Sequence, residues 1–165
     1  MKKILVTGAG GFIGSQLVEK LLEKKFKVRA FVKYSSTNDL GWLKNNKNKN
    51  LEIFHGDISD YDSVYESFKD VEFVFNLAAL ISVPYSFKNP ESFINTNVKG
   101  LLNVIRASKQ YSKKIKKIIQ ISSSEVYGNT INSKVKILTE GLKLRSESPY
   151  AASKIAADHL AITSF

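Results

Sequence analysis

The feature that most constrains this chain is a glycine-rich turn near its amino terminus, TGAGGFIG, which joins an apolar run to a helical pattern. Its glycines Gly8, Gly11 and Gly14 each have a physical use in such a turn. The first permits a tight turn, the second leaves backbone N–H groups open to a pyrophosphate, and the third lets a helix pack close to the sheet. The sequence therefore predicts a dinucleotide site on a strand–turn–helix unit.

Strand-like and helical segments alternate along the rest of the chain. The strand segments are nearly continuous apolar runs, which is typical of parallel strands covered on both faces. We predict an α/β, Rossmann-like doubly wound sheet of order 3-2-1-4-5, with residues 1–165 as one NAD(P)-binding domain and a ligand crevice between strands 1 and 4. Predicted strands cover 2–8, 27–33, 51–57, 71–80 and 116–124, and predicted helices cover 12–25, 93–111 and 149–165.

Composition excludes several other classes of protein. No apolar run approaches the roughly 20 residues of a membrane span, and the apolar start is too short for a signal peptide, so we expect a cytoplasmic protein without a membrane partner. The chain has no cysteine and two histidines far apart, which argues against disulfides and a metal site. The net charge is +10, but the lysines are scattered among asparagines without interleaved aromatic residues. We therefore expect no nucleic-acid partner.

The end of the second strand predicts which dinucleotide is bound. An acidic residue there reads the 2′-hydroxyl of NAD, whereas a basic residue favours the 2′-phosphate of NADP. This chain has Lys33 at that point and no acid, so NAD or NADP is expected, with NADP favoured. Asp57, after the third strand, is placed to approach the adenine amine.

Tyr150 and Lys154 stand four residues apart in SPYAASKIAADHL, a spacing that puts them on one face of a helix. An ammonium one turn away stabilises a phenolate. Tyr150 is then able to take a proton from a substrate alcohol while a nicotinamide takes the hydride. The pair becomes informative because the glycine turn is present in the same chain.

Several motifs together resemble a known family. TGAGGFIG, NLAA (76–79), NTNVKG (95–100), SSSEVYG (122–128) and YAASK (150–154) resemble an extended short-chain dehydrogenase/reductase of the NAD-dependent epimerase/dehydratase family. Longer stretches, such as RAFVKYSSTNDLGWL, look like the nucleotide-sugar 4,6-dehydratases of legionaminic-acid-type sugar biosynthesis.

The resemblance implies roles for residues of the serine-rich stretch. Ser123 matches the catalytic Ser or Thr of the family, which contacts the reacting sugar oxygen. Glu125 matches the base that removes the C5 proton once C4 is a ketone. Ser124 replaces an Asp found in many dehydratases and is expected to assist loss of the C6 hydroxyl. Ser82 is a further expected substrate contact.

The resemblance also implies a set of cofactor contacts. Asn97 matches a helix asparagine that supports the active-site geometry, and Ser122 is expected at the strand end or against the cofactor. The expected cofactor-binding residues are Gly8, Gly11, Phe12, Ile13, Gly14, Lys33, Asp57, Ile58, Leu77, Ala78, Ala79, Asn97, Ser122, Tyr150 and Lys154.

Family members have about twice this length, so the resemblance implies that the chain is an amino-terminal portion that lacks the last strands and a substrate-binding part. It also implies a homodimer of the full-length protein. The function that it implies is a nucleotide-sugar 4,6-dehydratase acting on an N-acetylglucosamine nucleotide. A 4-epimerase, a uronate decarboxylase, and a cofactor-binding module or inactive fragment without activity remain alternatives.

Overall fold

Five parallel strands form the centre of the fold. The computed structural model describes residues 2–129 and 137–164. The sheet has the order β3-β2-β1-β4-β5, which confirms the predicted order and places β1 between β2 and β4. The strands are β1 (Lys3–Thr7), β2 (Lys27–Lys33), β3 (Leu51–Gly56), β4 (Phe73–Asn76) and β5 (Lys117–Gln120).

Helices connect the strands. The predicted helix over 93–111 is part of a longer continuous unit, in which a π-helical segment, Ile94–Lys99, joins two α-helices. Single 3₁₀ turns cover Gly41–Leu43 and Ser124–Tyr127. None of the helices in the described part of the chain is long and apolar enough to cross a membrane. The α-helices are α1 (Phe12–Glu23), α2 (Tyr61–Ser67), α3 (Val83–Lys88), α4 (Pro90–Phe93), α5 (Gly100–Gln110) and α6 (Pro149–Thr163).

Both faces of the sheet are buried. Successive residues of β1 point to opposite faces, so Val6 packs in the core that contains Val18 of α1, and Leu5 packs in the core that contains Phe68 and Val104 on the other side. All five side chains are essentially inaccessible to solvent. This two-sided burial explains why the strands are apolar runs rather than alternating patterns.

The structure corrects two predicted strands. Strand 4 ends at Asn76 rather than at residue 80, because the next two amides, of Leu77 and Ala78, donate to the Thr7 hydroxyl instead of continuing the ladder. Strand 5 ends at Gln120 rather than at residue 124, and Ser123 then caps the 3₁₀ turn that follows.

Two short helices were not predicted from the sequence. Asp60 caps α2 by accepting from two backbone amides, and Ser82 caps α3, which has a proline in its first turn. With seven and six residues, these helices are too short to show a helical period. The capping residues Asp60 and Ser82 were the sequence signals that could have indicated these helices.

Candidate active site

A cavity of about 910 Å³ lies at the carboxyl ends of β1, β2, β4 and β5. This is the position at which open parallel sheets bind ligands, beside the strand where the order reverses. The cavity is lined by Gly8, Gly10, Gly11, Phe12, Ile13, Gly14, Val32, Lys33, Tyr34, Ser35, Asp39, Gly41, Leu77, Ala79, Ile81, Ile121, Ser122, Ser123, Tyr150 and Lys154.

The glycine turn closes one end of the cavity and can hold a pyrophosphate. Gly8 has φ +64°, and a Cβ there would lie 2.8 Å from the Ala78 nitrogen. A Cβ on Gly14 would lie 2.3 Å from the Gly8 carbonyl oxygen, so only glycine lets α1 start this close to β1. Gly11 precedes α1 without a side-chain cap, and the first turn has no acidic residue. The amides of that turn therefore fit the phosphates of a dinucleotide.

The end of β2 lies beside the glycine turn and also lines the cavity. Lys33 lines the cavity, and its ammonium lies 3.8 Å from the Asp57 carboxylate at the end of β3. Partial burial opposes ionisation of Asp57, but hydrogen bonds from Ser59 and the charge of Lys33 outweigh it, so the pKa of Asp57 is lowered. Asp57 itself is not among the lining residues. It acts on the cavity through Lys33.

Tyr150 and Lys154 lie on the first two turns of α6, which Ser148 caps and which has Pro149 as its first residue. Both side chains line the cavity and are almost inaccessible, with 7% and 4% of their surface exposed. The Lys154 ammonium donates to the carbonyl oxygen of Ile121, just beyond β5. Burial lowers the pKa of Lys154, and the charge of Asp158 offsets part of that effect.

Asp158 extends this arrangement by one more helical turn. Its carboxylate accepts a hydrogen bond from the hydroxyl of Ser122, which also lines the cavity. Tyr150, Lys154 and Asp158 thus form one row along α6 that faces the end of β5. Sequence reasoning missed Asp158, although its spacing of four from Lys154 was visible.

The serine-rich stretch lies at the edge of the cavity. Ser123 lines it, and its hydroxyl accepts from the Glu125 amide at 3.2 Å. Ser124 and Glu125 follow on the 3₁₀ turn, and their side chains are exposed and outside the lining. Val126 is buried and anchors this turn, and its carbonyl accepts from the amide of Arg145 at 2.9 Å. The turn therefore holds Glu125 two residues from a cavity-lining hydroxyl.

Four more of the expected site residues do not line the cavity. The Asn97 amide accepts from the backbone N–H of Leu80 and donates to the Leu80 carbonyl and to the Ser153 hydroxyl. It therefore joins the π segment to the chain after β4 and to α6. Ile58 and Ala78 belong to a hydrophobic core, and Ser82 is an exposed helix cap.

Sequence reasoning missed the segment between β2 and the following 3₁₀ turn. Gly41 has φ +55°, and a Cβ there would lie 2.2 Å from the Gly10 carbonyl oxygen. The Trp42 amide donates to that same oxygen at 3.1 Å. These contacts hold Tyr34, Ser35 and Asp39 against the cavity. Two glycines far apart in sequence carry no pairing signal, so this contact required the structure.

The arrangement combines a dinucleotide cradle with a tyrosine, a buried lysine and serine hydroxyls around one cavity. Such a set can bind a nicotinamide cofactor and move a proton at a substrate hydroxyl. Within residues 2–129 and 137–164, no three histidine, aspartate or glutamate side chains are grouped so as to hold a metal ion.

Comparisons with known proteins agree with this geometry. The family model of GDP-mannose 4,6 dehydratase matches residues 5–164. The chain is 34% identical to a dTDP-D-glucose 4,6-dehydratase of Dictyostelium discoideum, over 97% of this chain and 39% of that protein. It is 37% identical to a putative UDP-glucose 4-epimerase of Methanocaldococcus jannaschii, over 94% of this chain and 48% of that protein.

Among solved structures, the chain resembles the UDP-glucuronic acid 4-epimerase of Bacillus cereus in complex with UDP-glucuronic acid and NAD. The TM-score is 0.86 and the identity 30%, over 98% of this chain and 52% of the other. The chain thus spans between two fifths and about half of the length of these relatives.

Proposed function

The chain belongs to the extended short-chain dehydrogenase/reductase family of NAD-dependent nucleotide-sugar epimerases and dehydratases, and we propose that it forms the cofactor-binding part of a nucleotide-sugar 4,6-dehydratase. The observation that carries the proposal is Glu125, held on a short turn two residues after the cavity-lining Ser123. Relatives include both dehydratases and epimerases, so family membership alone does not decide the reaction.

In the proposed reaction, Tyr150 begins by taking the proton of the sugar C4 hydroxyl. The buried ammonium of Lys154, one helical turn away, stabilises the phenolate that makes this possible. Ser123 donates a hydrogen bond to the C4 oxygen and keeps it beside Tyr150. A nicotinamide cofactor held by the glycine turn would supply the redox chemistry between C4 and C6, with no net consumption of cofactor.

In this proposal, two residues of the 3₁₀ turn, Ser124 and Glu125, carry out the elimination of water. The C4 ketone acidifies the neighbouring C5–H, and Glu125 takes that proton as a general base. The C6 hydroxyl leaves as water with a proton that the Ser124 hydroxyl relays from solvent, and Tyr150 releases to solvent the proton that it took from the C4 hydroxyl. Glu125 then returns its proton to C5, which gives a 4-keto-6-deoxy sugar nucleotide and one water.

We propose an N-acetylglucosamine nucleotide as the substrate and NADP as the preferred cofactor. The cofactor preference is supported by Lys33, the last residue of β2, where an acidic residue would favour NAD. The B. cereus epimerase is in complex with NAD, so the proposed preference for NADP rests on this chain's own residues alone. The ratio of the dissociation constants of NAD and NADP measures it.

We also propose that the complete polypeptide is a homodimer that pairs through α5 and α6. Both helices present large apolar side chains to solvent, Leu102 on α5 and Ile162 on α6. Contiguous apolar patches mark surfaces that associate, and we propose that these two side chains contribute to such a patch. Light scattering of the complete polypeptide should give twice the monomer mass, and a monomer at all concentrations would exclude this pairing.

The role of Glu125 is tested by Glu125→Gln in the complete polypeptide. Glutamine keeps the size of the side chain but cannot accept the C5 proton. We expect formation of the 4-keto-6-deoxy product to fall by about 10²-fold or more, while reduced nicotinamide still appears when the sugar nucleotide is added.

The matched control is Glu66→Gln, an exposed glutamate on α2 outside the cavity lining. It should leave both measurements unchanged. Dehydration at the parent rate in Glu125→Gln would show that another group removes the C5 proton.

A further inference from the structure

The last residues of three neighbouring strands form a polar row across the sheet. Thr7 ends β1, Asn76 ends β4 and Gln120 ends β5. In the register of the sheet, Asn76 pairs with Thr7 on one side and with Gln120 on the other. In a parallel sheet, residues in register project to the same face. Thr7 and Asn76 are almost completely buried, with 1% and 2% of their surface exposed.

Hydrogen bonds run along this row in one direction. The Thr7 hydroxyl donates to the Asn76 amide oxygen at 2.6 Å, and the Asn76 amide nitrogen donates to the Gln120 amide oxygen at 2.6 Å. Because the Gln120 oxygen is occupied, its nitrogen faces the other way and donates to the Ile121 carbonyl at 3.1 Å. The Asn76 amide is therefore oriented by Thr7, and the Gln120 amide is oriented by Asn76.

The row ends on a group of the active site. The Ile121 carbonyl that accepts from Gln120 also accepts from the Lys154 ammonium. At its other end, the Thr7 hydroxyl accepts from the amides of Leu77 and Ala78, in the segment that forms a wall of the cavity. One connected set of bonds thus joins the glycine-turn strand to the lysine of α6.

We propose that Gln120 is a positioning residue, which holds the Ile121 carbonyl in place and through it fixes the Lys154 ammonium beside Tyr150. The proposal rests on the role given to Lys154 in the proposed function. The Ile121 amide still donates to the Asn76 carbonyl at 3.2 Å, whereas the Ile121 carbonyl accepts from the side chains of Gln120 and Lys154. The orientation of this carbonyl toward Lys154 therefore needs a further constraint. The Gln120 amide, itself fixed by Asn76 and Thr7, supplies that constraint.

The surroundings of the ammonium limit what else could hold it. The charged group that acts on Lys154 from its own helix is Asp158, whose carboxylate is bonded to Ser122. Ile121 is the acceptor of the Lys154 hydrogen bond. The orientation of this one carbonyl is therefore expected to control the position of the charge.

The test is the hydrogen exchange of the Lys154 ammonium with water, followed by NMR of the complete polypeptide with labelled lysine. A buried, hydrogen-bonded ammonium exchanges slowly, and its signal is assigned by its loss in Lys154→Met. Gln120→Met removes the amide from a half-buried site with little change of size. We expect the exchange rate to rise about tenfold, as one constrained hydrogen bond weakens.

Two further variants complete the comparison. Gln120→His offers one ring nitrogen that accepts from Asn76 and one that donates to Ile121, so it should restore slow exchange. Gln110→Met makes the same change at an exposed position at the end of α5 and should have no effect. Gln120→Ala serves the same comparison if the methionine variant does not fold.

Turnover of the sugar nucleotide in the same variants separates positioning from stability. We expect kcat to fall about tenfold in Gln120→Met with KM nearly unchanged. An unchanged exchange rate in folded Gln120→Met, or faster exchange with full turnover, would overturn the proposal. The exchange measurement needs no sugar. A protein without dehydratase activity would therefore contradict the proposed function, while the positioning role of Gln120 would still be judged by the exchange rates.

Discussion

At the scale of single residues, the site maintains a charge where water scarcely reaches. Lys154 is 4% exposed, and burial lowers its pKa, while the charge of Asp158 opposes that effect. An ammonium in such a place costs stability. We infer that the fold tolerates this cost because the reaction needs a cation beside Tyr150.

This cost predicts a pH-dependent effect of Lys154→Met, which keeps the length of the side chain and removes its charge. Below the folded-state pKa, Lys154 is protonated in both states and the cost is complete. As the pH rises from the lowered folded-state pKa toward the unfolded value of roughly 10.4, the folded protein loses the proton first and the cost disappears. The variant should therefore gain about 2–4 °C in Tm at neutral pH and less in alkali.

Thermal unfolding at several pH values measures this difference, with the exposed Lys109→Met as the control. Turnover should be lost in Lys154→Met at every pH. A variant less stable than the parent at neutral pH, or a gain that grows in alkali, would contradict the sign of the argument.

At the scale of elements, the ends of β2 and β3 decide which cofactor is bound. Lys33 lines the cavity, and its ammonium lies 3.8 Å from the Asp57 carboxylate on an exposed surface. Such a weak pair can give way to a phosphate, which offers more charge. We therefore propose that this strand end favours NADP, which would need no rearrangement of the sheet.

We expect the complete polypeptide to bind NADP more tightly than NAD, and Lys33→Met to weaken NADP binding roughly fivefold while NAD binding stays the same. Titration calorimetry with both cofactors measures this. Lys27→Met, at the amino end of the same strand and away from the cavity, is the matched control. Tighter binding of NAD by the parent, or equal losses for both cofactors, would reject the role of Lys33.

Elements also show how far sequence reasoning reaches. The glycine turn was predictable because it depends on local spacing, with Gly8 and Gly14 in one strand–turn–helix unit. The strand order was predictable because strands and helices alternate and the crossovers between parallel strands are right-handed. The contact between Gly10 and Gly41 and the π segment around Asn97 were not predictable, since both depend on tertiary packing. The predicted end of β4 was wrong for the same reason, because the amides of Leu77 and Ala78 donate to the Thr7 hydroxyl instead of continuing the strand.

At the scale of the whole molecule, the sheet forms one complete wall of a site. The cofactor cradle, Tyr150, Lys154 and Ser123 all line one cavity, whereas Ser124 and Glu125 are exposed at its edge. The relatives that the chain matches are about twice as long. We expect further polypeptide in the complete protein to cover Glu125 and to read the nucleotide base, which makes the reaction a property of the complete protein.

The most direct test of the central claim, 4,6-dehydration, follows labelled hydrogen in the product. The complete polypeptide is incubated with the UDP-, GDP- and CDP-linked forms of N-acetylglucosamine deuterated at C4, and separately with unlabelled substrates in D₂O. We predict a 4-keto-6-deoxy product that carries the C4 deuterium at C6 and, in D₂O, solvent deuterium at C5. A 4-epimer that keeps its deuterium at C4 and takes none from solvent at C5 would contradict the account.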